Sequence, residues 1–86
     1  MPEEQVGKVT HFFGKVSVAG IDVTADEIKA GDTIHITGHT TDFTQKIESM
    51  QIDNENVERA TKGASIGIKV SDRVRPHDIV YRVLPD

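Results

Sequence analysis

The chain has 86 residues, no cysteine and a formal net charge of −4, which makes it one small domain with an economical core and neither disulfides nor a cysteine-ligated metal to brace it. The charge disfavours indiscriminate polyanion binding, and no stretch is long and apolar enough for a membrane span or a secretory signal, so a cytoplasmic protein with no membrane partner is expected. The charge is also uneven: residues 1–58 carry four basic and eleven acidic side chains, net −7, and residues 59–86 six basic and three acidic, net +3.

Residues 1–5 read as a flexible lead-in to a single domain spanning 1–86. Val6 to Phe12 and Lys15 to Ile21 are rich in Val, Thr and Phe and read as a hairpin reversing around Phe13-Gly14. Asp22 to Ala30 loses the period of two; Thr24-Ala25-Asp26-Glu27 has the form of a capping box and predicts a single helical turn that drops Ile28 onto the core. Gly31-Asp32 then turns the chain into a strand over Thr33–Thr37, where Ile34 and Ile36 alternate with His35 and Thr37.

Phe43 and Ile47 are out of phase with Met50 and Ile52. A strand that keeps one face buried must change phase through an extra residue, which predicts a bulge near Glu48-Ser49. Asn54-Glu55-Asn56 reads as a turn, and Val57 and Ala60 as anchors of a short irregular or helical segment. Lys62-Gly63 repeats the earlier glycine turn and launches Ser65–Val70; Arg75-Pro76-His77-Asp78 makes a turn before a last strand over Ile79–Leu84. About six short strands at this spacing predict an all-β fold, a small closed or nearly closed antiparallel barrel. Val9, Val16, Val18, Ile28, Ile34, Ile36, Ile47, Ile52, Ile66, Ile68, Val70 and Ile79 are the expected core.

The order of these segments resembles the second domain of translational GTPases. Gly14-Lys15 matches the glycine and basic residue that open the first strand pair in elongation factor Tu, and Ile28-Lys29-Ala30-Gly31-Asp32 resembles the turn that follows. Lys46-Ile47-Glu48-Ser49-Met50-Gln51-Ile52 and Ala60–Val70 are similar to consecutive strands of elongation factor one alpha. The wording is closer still to free-standing elongation-factor-like proteins and to the C-terminal barrel of collagenase-like peptidase-family proteins. The resemblance implies the translation-protein barrel and a contact with transfer RNA, ribosomal RNA or the ribosome, with Lys15 in the place of a basic residue near the aminoacyl end. Val16 and Gly63-Ala64-Ser65 depart from the factors' pattern at two turns. The phosphate-cradling G-x-x-x-x-G-K-[ST] is absent from the chain, so no nucleotide is expected.

For chemistry the residues offer little. His35 and His39 have the spacing of helical metal ligands, but strand followed by turn breaks that geometry, so no metal and no cofactor is expected. Asp53 and Glu55 are not spaced as a catalytic pair, neither Ser49 nor Ser71 sits in a nucleophile elbow, and no enzymatic activity is expected. Phe12 and Phe13 are adjacent on a strand and must point to opposite faces, one inward and one outward. An outward ring either covers an open end of the barrel or, beside Lys8, His11 and Lys15, suits stacking plus phosphate neutralisation, as does the basic set Lys62, Lys69, Arg73, Arg75 and Arg82 with His77. Two readings follow. One is a non-catalytic RNA- or ribosome-binding module using these residues; the other is a protein-docking barrel that serves a separately encoded enzyme or GTPase.

Overall fold

In the computed structural model, which describes residues 3–84, the alternation of apolar and polar side chains becomes ten strands, with no helix among the described residues. They are β1 (Glu3–Phe13), β2 (Val18–Val23), β3 (Glu27–Lys29), β4 (Thr33–Thr37), β5 (Asp42–Lys46), β6 (Met50–Ile52), β7 (Glu55–Val57), β8 (Arg59–Thr61), β9 (Ser65–Lys69) and β10 (Ile79–Val83). Eight pair antiparallel in the order β5-β4-β10-β1-β2-β9-β6-β7, and β3 pairs with β8 in a separate ribbon. The all-β antiparallel class is as expected; the six strands and the closed barrel are not. Four of the ten strands are only three residues long, too short for alternation to register. The outermost strands β5 and β7 do not pair with each other. In place of a closing ladder, Gln45 of β5 reaches the chain leaving β9: its amide donates to the Lys69 carbonyl at 2.9 Å, and its Oε1 accepts from the Ser71 amide at 2.7 Å.

β1 is the central strand. It pairs with β10 from Glu3↔Val83 to Lys8↔Ile79 and with β2 from Gly7↔Val23 to Phe13↔Val18, with register breaks at Gln5/Gly7 and Val9/His11. Glu3–Gln5 are thus part of the sheet rather than a flexible lead-in; residues 1–2 lie outside the described residues. Gly31 and Gly63, at φ 97° and 93°, occupy the left-handed positions that turn the chain toward β4 and β9. β6 and β7 meet through a two-residue turn in which Asp53 and Asn54 both have positive φ, 52° and 67°. The turn therefore sits one residue ahead of its expected place, and Glu55 and Asn56 belong to β7.

The core gathers Val6, Val9, Ile21, Ile28, Ile34, Ile36, Ile47, Met50, Ile68, Val74 and Val80, all at most 2 % exposed, with Ile66 and Val70 close behind. Burying each such aliphatic side chain contributes about 1.5–3 kcal/mol. Four expected core positions differ. Val16 lies in the turn between β1 and β2 and is 59 % exposed. Val18 is half-buried on the outer face, because Ala19, Ile21 and Val23 take the inner one. Ile79 is half-buried while its neighbour Val80 is fully inside, opposite Gly7 and Ile36, since the bulge at Gln5/Gly7 sets the phase of β10. Ile52, at the end of the short β6, is half-buried as well.

The capping box forms no helix. The amides of Thr24 and Ala25 both donate to the Val6 carbonyl, at 2.9 and 3.4 Å, and pull the chain into a bend leading to β3. Val57 and Ala60 likewise sit on strands, β7 and β8. The phase change between Phe43 and Met50 is present without a bulge, because Ile47–Ser49 leave the sheet and Ile47 drops into the core between β5 and β6.

Candidate functional site

The outer face of β1, β2, β9 and β6 carries three rows of side chains, each row crossing several strands. Phe13, Val18 and Lys69 are paired neighbours in one, and Lys8, Asp22 and Ser65 in another, where Ser65 Oγ donates to Asp22 Oδ1 at 2.9 Å. Between them runs His11–Gly20–Gly67–Gln51, whose two central members have no side chain. The result is a glycine-floored groove of about 470 Å³, lined at its far end by the Asp53–Asn54 turn, within the size range of sites that take compact ligands or a partner's side chains.

Local sequence explains each wall. The bulge at Val9/His11 leaves Thr10 as the extra residue, its Oγ1 donating to the Gly20 carbonyl at 3.2 Å, and turns His11 outward with Phe13. The His11 and Phe13 rings pack with centroids 4.6 Å apart at 40°. Phe12 points the other way, half-buried against the core, as the alternation requires. Val16 and Phe13, 59 % and 49 % exposed, are the exposed large hydrophobic side chains among the described residues, and both line this groove.

The stretch after β9 supplies the adjoining charge. Val74 is buried and anchors it, leaving Arg73 and Arg75 exposed on either side. The chain is pinned by the Arg75 amide donating to Asp78 Oδ2 at 2.9 Å, by the His77 amide donating to the Val9 carbonyl at 2.8 Å, and by the Val9 amide donating to the Asp78 carbonyl at 2.8 Å. Arg73 and Arg75 line one shallow hollow with His11, Phe12 and Pro76, and a second of about 320 Å³ with Thr40, Thr41, Asp42, Phe43 and Asp72. Neither guanidinium makes an ion pair among the described residues. His11 borders both the groove and the first of these hollows.

The structure thus brings His11 and Phe13 together, sets Lys69 two strands from Phe13 and outside the groove lining, Lys8 on the far ridge and Lys15 in the turn beside Val16, and places Arg73 and Arg75 in a hollow that shares His11 with the groove. Lys62 lies in the β8–β9 turn and does not line the groove. His77 is exposed at φ 79°, its backbone committed to β1. Arg82 is not available for a ligand: it donates to Glu4 at 2.5 Å, to Asp32 at 3.2 Å and to the Glu27 carbonyl at 2.8 Å, and the first of these contacts holds its pKa above the ordinary value. His35 is committed too, with Nε2 2.5 Å from Asp42 and Nδ1 2.7 Å from Glu3, and its pKa is raised chiefly by the Asp42 contact.

Gly20, Gly67, Val16 and Val18 are the groove residues that the alternation misplaced or passed over. A signal was present: Val16 and Val18 are in phase with Gly20 and Asp22, not with Ile21 and Val23, so a strand buried through the latter pair must show the former outside.

No family model matches the chain. It is 42 % identical over 78 residues to a collagenase of Porphyromonas gingivalis and 45 % identical over 78 residues to an uncharacterized protease of Methanocaldococcus jannaschii; each match takes in 90 % of this chain but only 22 % and 19 % of those proteins. The chain therefore spans about a fifth of the length of the curated relatives it matches. Among solved structures, the C-terminal domain of a Geobacillus thermoleovorans protein classed with the U32 peptidases superposes with a TM-score of 0.86 at 19 % identity, covering 94 % of this chain and 93 % of that one. GDP-bound aIF5B from Aeropyrum pernix, a translation factor, gives 0.65 at 16 % identity, covering 96 % of this chain and 14 % of the factor. The fold is common to both. The sequence relationship lies with the collagenase and protease chains.

Proposed function

We propose that the domain is a non-catalytic docking module, an accessory unit that seats a peptidase-like catalytic partner against the glycine-floored groove. The observation that carries this reading is the exposure of Phe13 and Val16 together on the groove's rim, an apolar surface whose removal from water against a partner is favourable. Support comes from the relatives: in the Porphyromonas gingivalis collagenase the matched stretch accompanies a further four-fifths of chain.

A direct test mixes this chain with that collagenase lacking its matched stretch and measures association by calorimetry and gel filtration. A one-to-one complex that is lost on changing Phe13→Ser together with Val16→Ser is expected. The absence of a complex, or a complex indifferent to the two changes, rejects the reading.

The other reading, a contact with RNA, draws on the packed His11 and Phe13 rings near Arg73 and Arg75. The net charge of −4 weighs against it.

A further inference from the structure

The groove has a direction. One end, past His11, adjoins the hollow lined by Arg73 and Arg75, whose guanidinium groups make no ion pair among the described residues; the other is lined by the Asp53–Asn54 turn. The floor offers no hydrogen-bonding edge, because Gly20 and Gly67 face each other in the β2–β9 ladder. What it offers is shape. The missing side chains leave a depression between the Phe13–Val18 ridge and the Asp22–Ser65 ridge, and a β-carbon on Gly67 would already touch Val18 Cγ1 at 3.2 Å. The row His11–Gly20–Gly67–Gln51 crosses three strand spacings, about 14 Å, which an extended segment of about four residues spans.

Resting on the docking reading, we propose that the occupant is an extended segment of the partner polypeptide that sets a bulky aliphatic side chain over Gly20 and Gly67 and carries a carboxylate, further along the same segment, to Arg73 and Arg75. Charge complementarity selects this chemistry: Arg73 and Arg75 line the hollow that His11 shares with the groove, with no carboxylate in that lining, whereas Asp53 lines the other end. An arginine–carboxylate pair there is flanked by the half-buried Phe12, which lines the same hollow. A single-stranded nucleic acid suits the site less well. A run of phosphates meets a chain of net negative charge.

The test is a titration of the ¹⁵N-labelled chain, followed by NMR, with an acetylated glycine-serine peptide carrying one leucine followed by two aspartates. The amides of Gly20 and Gly67 report the groove, and those of Arg73 and Arg75 the charged end. Saturable shifts at both sets are expected. Replacing the peptide's leucine by serine abolishes the glycine shifts, and changing Arg73→Glu with Arg75→Glu weakens binding at least tenfold while leaving the rest of the spectrum in place. Shifts scattered over the sheet, none at millimolar peptide, or equal affinity for a peptide whose aspartates are replaced by lysines, overturn the proposal. So does an oligouridylate that moves these amides where the peptide does not, which would assign the groove to nucleic acid. Association of the truncated collagenase without response to the peptide keeps the docking reading and removes this one; a peptide response without that association does the reverse.

Discussion

Gly38 and Asp78 are packed so closely that a β-carbon on the glycine would lie 2.6 Å from the carboxyl carbon of Asp78 and nearer still to its Oδ1. Asp78 cannot easily retreat: it is 4 % exposed and its other oxygen accepts the Arg75 amide. Gly38→Ala should therefore displace the Arg75–Asp78 turn and lower stability by about 1–3 kcal/mol, the cost of overpacking, read as a reduced urea midpoint. Adding Asp78→Ala removes the collision, so the double change should cost less than the sum of the two single ones.

Gln45 supplies two hydrogen bonds where a strand ladder would otherwise run. Gln45→Ala should cost about 1–2 kcal/mol, since each bond contributes about 0.5–1.5 kcal/mol net. Hydrogen exchange at the Ser71 amide should accelerate while the amides of the β1–β2 ladder stay protected.

Both ring nitrogens of His35 face carboxylates, which only accept, so the folded state favours the doubly protonated cation. The unfolded chain titrates this residue at its ordinary 6.5, and the folded chain holds the proton to higher pH. The stabilisation is complete below 6.5 and is lost as pH rises through the raised folded value. Urea midpoints should fall across that window, and His35→Gln should flatten the dependence.

Val16 and Ile68 separate the core that the sequence suggests from the core that forms. Val16→Lys should change stability by no more than about 0.5 kcal/mol, as for most surface substitutions. Ile68→Ala, at a fully buried site, should cost about 2–5 kcal/mol. Thermal denaturation of the two variants side by side checks the assignment.

The strands that the sequence makes visible are those whose alternation runs uninterrupted for five residues: Ile34 and Ile36 in β4, Ile66 and Ile68 in β9. Where β2 begins, Val16 and Val18 suggest one phase and Ile21 and Val23 the other, and hydropathy alone does not say which pair faces inward. Pairing across the sheet decides it, through the ladder that sets Ile21 opposite both Val9 and Ile66. Thr24–Glu27 carries a helix-start pattern that four residues of local preference cannot enforce against two hydrogen bonds to Val6. For the site, the residue types were legible at His11, Phe13, Arg73 and Arg75, but their grouping was not, because it depends on bulges and on two glycines meeting across strands. Arg82 looked like any exposed base, and only the tertiary fold reveals Glu4 and Asp32 beside it.

β1 lies between β10 and β2, with Glu3 opposite Val83. During synthesis one flank of the central strand must therefore wait unpaired until β10 is made, and with it the β5-β4 pair, which joins the sheet only through β10. Such long-range closure places folding in the millisecond-to-second range typical of β proteins with distant pairings. It also means that a chain ending before Ile79 should behave as an unfolded polymer rather than as a smaller domain.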